Sequence, residues 1–262
     1  MVSETKLSDL CRPLKQKKES NINICIGKLI SAMLCKQPRF RGQQIIKKDG
    51  KFSVDEENSL IFKANVLNET ELSNYLLHAV NVDRRSGKSG FGVKPRREVC
   101  YTVDGNPYRY SNVNHQTIKY PQHVLDIVPV LQKVVTDHIP ANTYTQLSNG
   151  VDIIYSDEFS RGGSISAHAD DEDDWGLVVI LSLGQTRWLR VRRKSDKRWI
   201  NVQMAHNSAV AMYGPTFQKL YTHQVDKLAK DDKVGTRLSL NLRFKQACGN
   251  VETKEENKSL LC

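Results

Sequence analysis

From about residue 143 to 244 the chain alternates short apolar runs with polar turns. The runs fall at 151–155, 164–168, 177–183, 188–191, 199–202, 208–212, 220–224 and 236–244. Each has the length and period of a β-strand. Eight such strands in succession predict a two-sheet jelly roll or barrel. Upstream the period is helical. Residues 68–80 predict a helix capped by Asn68, with Leu72, Tyr75, Leu76 and Val80 on one face. Residues 121–138 predict a second, with Val124, Ile127, Val128, Leu131 and Val135 as its apolar side and Pro129 as a kink in its interior. A third apolar face lies within 22–35, between basic segments, and 84–92 reads as a Gly-rich basic loop. The expected organisation is α+β: an N-terminal extension over 1–55, a body over 56–247 and a polar tail over 248–262.

Composition narrows the function classes. No apolar run reaches the roughly 18–20 residues that cross a bilayer; the longest apolar-rich stretch, 22–35, is interrupted by Lys28. With no basic-then-apolar leader pattern, an intracellular protein, nuclear or cytoplasmic, is expected. The six cysteines (Cys11, Cys25, Cys35, Cys100, Cys248, Cys262) lack the close pairing of a zinc knuckle. The net charge is +10, and it is clustered. Residues 1–51 hold twelve Lys or Arg against four Asp or Glu. Arg84, Arg85, Lys88, Lys94, Arg96 and Arg97 form a second cluster. Arg187, Arg190, Arg192, Arg193, Lys194, Lys197 and Arg198, opposed by Asp196 alone, form a third. Such clusters favour a polyanionic partner, DNA or RNA, through counterion release, although basic surfaces also serve solubility.

The sharpest chemical signal is His168-Ala-Asp170 at the end of a predicted strand. Residues two apart on a strand share a face, so an imidazole and a carboxylate can bind one metal side by side. A further histidine from another strand completes the two-His, one-carboxylate set of non-haem iron oxygenases; His223, on a later predicted strand, is the candidate. The strand after it shows Arg237, Ser239, Asn241 and Arg243 on one face. Alone, that row could be the outer face of a solvated strand. Beside His-x-Asp and a downstream His, an inward row that holds an anionic dicarboxylate is the better account, because arginine binds carboxylates bidentately. The other histidines are expected elsewhere: His206 in an exposed turn, and His115 and His123 at the surface.

The ordered set His168-x-Asp170, His223, Arg237-x5-Arg243 resembles the AlkB-like 2-oxoglutarate dioxygenases, nearest their DNA-repair members, over roughly residues 60–245. Smaller matches are Pro95-Arg96, Tyr108-Arg-Tyr110-Ser, Tyr120-Pro121, and Asp171-Glu172 directly after the His-x-Asp. The resemblance implies a double-stranded β-helix core with flanking helices. It implies Fe(II) on His168, Asp170 and His223, with O2 as oxidant. It implies 2-oxoglutarate held by Arg237 and Arg243, with Tyr155, Ser239 and Asn241 lining its pocket. Arg96, Tyr108, Tyr110, Asp171 and Glu172 would contact the substrate base and its strand. Ile153 stands where the family's Asn-x-Tyr has Asn, Ser239 where its repair members usually carry Asn, and the 155–168 loop is longer than usual. The implied activity is oxidative demethylation of N-alkylated bases (1-methyladenine, 3-methylcytosine type) in DNA or RNA by a monomer. The alternatives are a non-catalytic nucleic-acid-binding module on the same scaffold, or a dioxygenase that hydroxylates a protein.

Overall fold

The computed structural model describes residues 44–89, 92–110, 113–139, 146–155, 163–170, 176–195, 198–228 and 235–245. The helix expected within 22–35 and the tail over 248–262 lie outside them. In chain order the elements are β1 (Gln44–Ile46), β2 (Gly50–Ser53), β3 (Ser59–Ala64), α1 (Glu69–Ala79), β4 (Arg85–Ser89), β5 (Gly92–Thr102), β6 (Tyr108–Tyr110), β7 (Val113–His115) and β8 (Thr117–Lys119). Then come α2 (Gln122–Leu125), α3 (Val128–Thr136), β9 (Gln146–Tyr155), β10 (Ile165–His168), β11 (Leu177–Gly184), β12 (Arg187–Arg193), β13 (Trp199–Met204), β14 (Ser208–Tyr213), α4 (Phe217–Leu220), β15 (Tyr221–Val225) and β16 (Arg237–Lys245).

The eight strands expected between 143 and 244 are all present. They divide into two sheets, as a jelly roll requires. The smaller sheet runs β1-β13-β12-β15-β10, and the larger runs β2-β3-β14-β11-β16-β9-β5-β4, with β8 alongside β5. Strand β11, Leu-Val-Val-Ile-Leu-Ser-Leu-Gly, is buried at all eight positions, as an unbroken apolar run should be when both faces of its sheet are covered.

Two hydrophobic layers result. One lies between the sheets and contains Leu60, Phe62, Val178, Ile180, Val191, Val202 and Met212. The other lies between the larger sheet and the helices and contains Tyr75, Leu76, Leu131, Val135, Leu238, Leu240, Leu242 and Phe244. Helix α1 starts as expected: the Asn68 side chain accepts from the Glu71 N–H at 3.0 Å, and the Glu71 carboxylate accepts from the Asn68 N–H at 2.8 Å, a reciprocal capping box.

Three expectations are corrected. The single helix over 121–138 is two, α2 and α3, broken at Asp126–Ile127. Pro129 lacks an N–H, so it sits in the first turn of a new helix, where none is needed, and not in the interior of a long one. The basic loop over 84–92 is largely strand β4, paired antiparallel with β5. Residues 44–53, placed by their charge in the N-terminal extension, join the body: β1 pairs parallel with β13, and β2 pairs antiparallel with β3.

Candidate metal centre

Strand β10 is short and lies at the edge of the smaller sheet. Its register against β15 shifts between Ile165 and His168, and His168 pairs directly with His223. The two imidazole centroids are 4.2 Å apart. Asp170 follows β10 and reaches between them: one carboxylate oxygen is 3.8 Å from His168 Nε2 and the other 3.8 Å from His223 Nε2. The three donor atoms lie within 4.8 Å of one another. His168 Nδ1 is 2.8 Å from the Ser166 carbonyl. The Nδ1–H is thereby engaged, and Nε2 is left as the basic nitrogen.

Asp170 and His223 are 1 % and 5 % exposed, whereas the His168 side chain is 25 % exposed. The centre is therefore enclosed on two sides and reached past His168. Burial would push the Asp170 carboxyl up. Arg243, whose Nη2 donates to Asp170 Oδ1 at 2.9 Å, outweighs this together with the two histidines, and the carboxyl stays well below its usual range. Burial, with the neighbouring His168, drives His223 down to about 3, and Asp170 opposes this only in part. A carboxylate and a neutral imidazole, both held in the form that binds a cation, are what a metal requires of its ligands.

Arg237 and Arg243 are 1 % and 9 % exposed on the inner face of β16. Arg237 Nε and Nη2 donate to Ser182 Oγ at 3.2 and 2.9 Å, and Nη2 lies 3.6 Å from Met204 Sδ. Ser182 and Met204 are neutral, and a guanidinium fork can bind a carboxylate bidentately. Ser239 is buried on the same face, and Asn241 Nδ2 is 3.4 Å from its Oγ. Tyr155 is the register partner of Arg237, and Ile153 that of Ser239. The row from Arg237 to Arg243 is thus inward, and its far end touches the metal-ligand cluster through Asp170.

The family follows from this. The model of the 2OG-Fe(II) oxygenase superfamily matches residues 56–243. The chain belongs to the 2OG-Fe(II) oxygenase superfamily. The oxygenase therefore uses Fe(II), 2-oxoglutarate and O2. The donor set His168, Asp170 and His223 fits iron, because two imidazoles and one carboxylate leave positions open for co-substrate and O2. Among solved structures, the oxygenase is similar to an oxidoreductase of the 2OG-Fe(II) oxygenase family from Burkholderia pseudomallei, at 13 % identity and a TM-score of 0.50, over 72 % of this chain and 86 % of that one. It is also similar to a prolyl hydroxylase from Trichoplax adhaerens in complex with a hypoxia inducible factor oxygen degradation domain peptide fragment, at 10 % identity and a TM-score of 0.49, over 93 % and 94 %. At these identities the likeness is one of fold. No curated protein matches the sequence.

The remaining expected site residues divide. Asp171 and Glu172 lie outside the described residues. Tyr108 and Tyr110 fall on β6, paired with His115 and Val113 of β7. Arg96 is half-buried; its Nε is 3.2 Å from a Glu98 carboxylate oxygen, and its Nη1 donates to the Ser164 carbonyl at 3.1 Å, tying β5 to the start of β10. The basic clusters are also not uniformly surface. Arg84 is buried, and Arg187 is buried with its guanidinium donating to the Gly163 and Asp226 carbonyls.

His206 is not the exposed turn residue expected: it is half-buried, Nδ1 accepts from the Gly184 N–H at 2.9 Å, and burial pushes its pKa down. His123 is likewise half-buried, stacked on His78 at 5.6 Å. One contributor escaped the sequence reading. Gln218, buried in α4, accepts the Asp170 N–H on its Oε1 at 3.0 Å. Nothing in a four-residue helix announces a contact that spans 48 positions.

Proposed function

We propose that the oxygenase removes alkyl groups from N-alkylated bases, of the 1-methyladenine and 3-methylcytosine type, in DNA or RNA. The observation that carries this reading is the ordered set His168-x-Asp170, His223, Arg237-x5-Arg243, which resembles the AlkB-like repair dioxygenases. It converges on one buried centre in a chain of net charge +10.

The bound iron supplies the oxidation: O2 and 2-oxoglutarate become succinate and carbon dioxide, and one oxygen atom enters a C–H bond of the alkyl group. The protein's residues orient and enclose. His168, Asp170 and His223 hold the metal, and Arg237 and Arg243 hold the co-substrate carboxylates. The enclosed side keeps water out, and the half-exposed side at His168 admits the base. The hydroxylated methyl then leaves as formaldehyde when its C–N bond breaks, and the base recovers its ring nitrogen. A base alkylated on its pairing edge is cheap to extrude from a duplex, which favours its capture. The nucleic acid meets one protein molecule.

The test is anaerobic reconstitution with Fe(II) and 2-oxoglutarate, then aerobic incubation with single- and double-stranded oligonucleotides carrying either lesion. Mass spectrometry follows methyl loss, and succinate is measured in parallel. Methyl loss that disappears in His168→Ala is the expected result. Succinate release without demethylation refutes the nucleic-acid reading and points to another substrate, such as a protein. Oligonucleotide binding with neither product indicates the non-catalytic module.

A further inference from the structure

The β12–β13 hairpin carries the densest basic run among the described residues, and the structure separates its members by task. Arg187 is spent inside the fold. Arg190 is paired with Asp226 at 2.6 Å. Arg192, Arg193, Lys194 and Arg198 gather toward the tip. Arg192 and Arg190 both lie over the Trp199 indole, at 5.1 and 4.9 Å from its centroid. That cation–π contact holds two long side chains in a row along the strand.

At the next register position, Arg193 and Arg198 are hairpin neighbours, joined by a backbone hydrogen bond of 3.1 Å. Both line a cavity of about 340 Å³ whose other walls include Trp199 and Tyr221. Two guanidinium-bearing residues thus line one cavity.

The tip is also tied to the metal centre. Val191 is the register partner of His223, so Arg192 and Arg193 are the next residues toward the end where β10 exits. The Lys194 N–H donates to the Leu220 carbonyl at 2.9 Å, and Lys194 Nζ donates to the Gln218 carbonyl at 3.2 Å. Gln218 in turn holds the Asp170 N–H.

We propose that this hairpin tip grips the phosphate backbone of the strand that presents the target base. Arg192 and Lys194 contact phosphates along the rim, and the cavity between Arg193 and Arg198 seats one. Guanidinium groups suit the task because they bind phosphate oxygens in pairs. The proposal rests on the nucleic-acid reading above and adds to it where the strand runs.

The experiment measures binding of a labelled single-stranded oligodeoxynucleotide carrying 3-methylcytosine to the full chain across a salt series, together with the KM for that oligonucleotide. The variants are Arg192→Gln, Arg198→Gln and both together, with Arg192→Lys and Arg198→Lys to separate charge from folding. The expected result is a fall of about 0.7 in the slope of log affinity against log salt for each phosphate that is no longer neutralised, a raised KM, and a slope retained by the lysine variants. A wild-type slope kept in the double Gln variant overturns the hairpin assignment and leaves the nucleic-acid reading standing. A wild-type protein that neither binds nor demethylates the oligonucleotide overturns both. Binding to polyglutamate in place of the oligonucleotide overturns the proposal in favour of an acidic protein partner.

Discussion

Asp170 is the residue on which the site turns, since it faces both histidines and Arg243 at once. A carboxylate 1 % exposed is kept ionised chiefly by a guanidinium 2.9 Å away, with the two histidines adding to it. Removing one member of a buried ion pair strands the other at a cost of roughly 3–5 kcal/mol. Arg243→Met should therefore destabilise the metal-free protein by about that much, read as a shift in its urea midpoint. Asp170→Asn/Arg243→Met should cost clearly less than the sum of its single changes. Strict additivity would show that the pair is not coupled. At this scale the sequence was informative. His168-x-Asp170 and a later histidine point to one another by residue type and order, and the fold brings their donor atoms within 4.8 Å, with Arg243 donating to Asp170. Gln218 was illegible, because an amide that accepts one backbone N–H looks like any other polar side chain until the fold brings α4 against Asp170.

Elements deliver these residues, and one turn is critical to the delivery. Gly214 joins β14 to α4 with φ +138, and an added Cβ would collide with Asn58 Oδ1 and meet the Glu57 carbonyl at 2.8 Å. Asn58 is itself buried, hydrogen-bonded to Asp55 and to Thr216 Oγ1, and cannot yield easily. Gly214→Ala should thus lower stability by about 2 kcal/mol or more, and the displaced α4 should weaken metal binding through Gln218. Thermal melts with and without added Fe(II) under anaerobic conditions would show both effects; an unchanged melting temperature would falsify the strain argument. The strands were readable because alternation and apolar runs are local signals, and β11 and β16 show it most clearly. What the period could not show was which basic residues face water. Arg187 sits inside and Arg192 on the rim of one seven-residue strand. Strand alternation sorts residues to faces, but the packing of the partner sheet decides which face is closed.

For the whole molecule, two imidazoles held below their usual range set an acid limit. His123 is pushed down to about 4 by burial and by His78 and Arg84, with Asp126 opposing, and His223 is pushed down to about 3. Both titrate near 6.5 when unfolded, so the unfolded chain takes up these protons first. Stability is full above about 6.5 and is lost as pH falls toward 4. Urea midpoints of the metal-free protein at pH 7.5, 6 and 5 should decline in that order, and His123→Phe should flatten the decline; an unaltered pH trend in that variant would exclude His123 as a contributor.

The two-layer plan carries a further consequence for how this chain can change. Along β16, Leu238, Leu240, Leu242 and Phe244 belong to the helix-side layer, while Arg237, Ser239, Asn241 and Arg243 face the other way. A single inserted or deleted residue would trade the two sets, presenting leucines to the side of the metal-ligand cluster and guanidinium groups to the helices. The length of this strand is therefore locked, and gain or loss of residues is confined to the loops at either end.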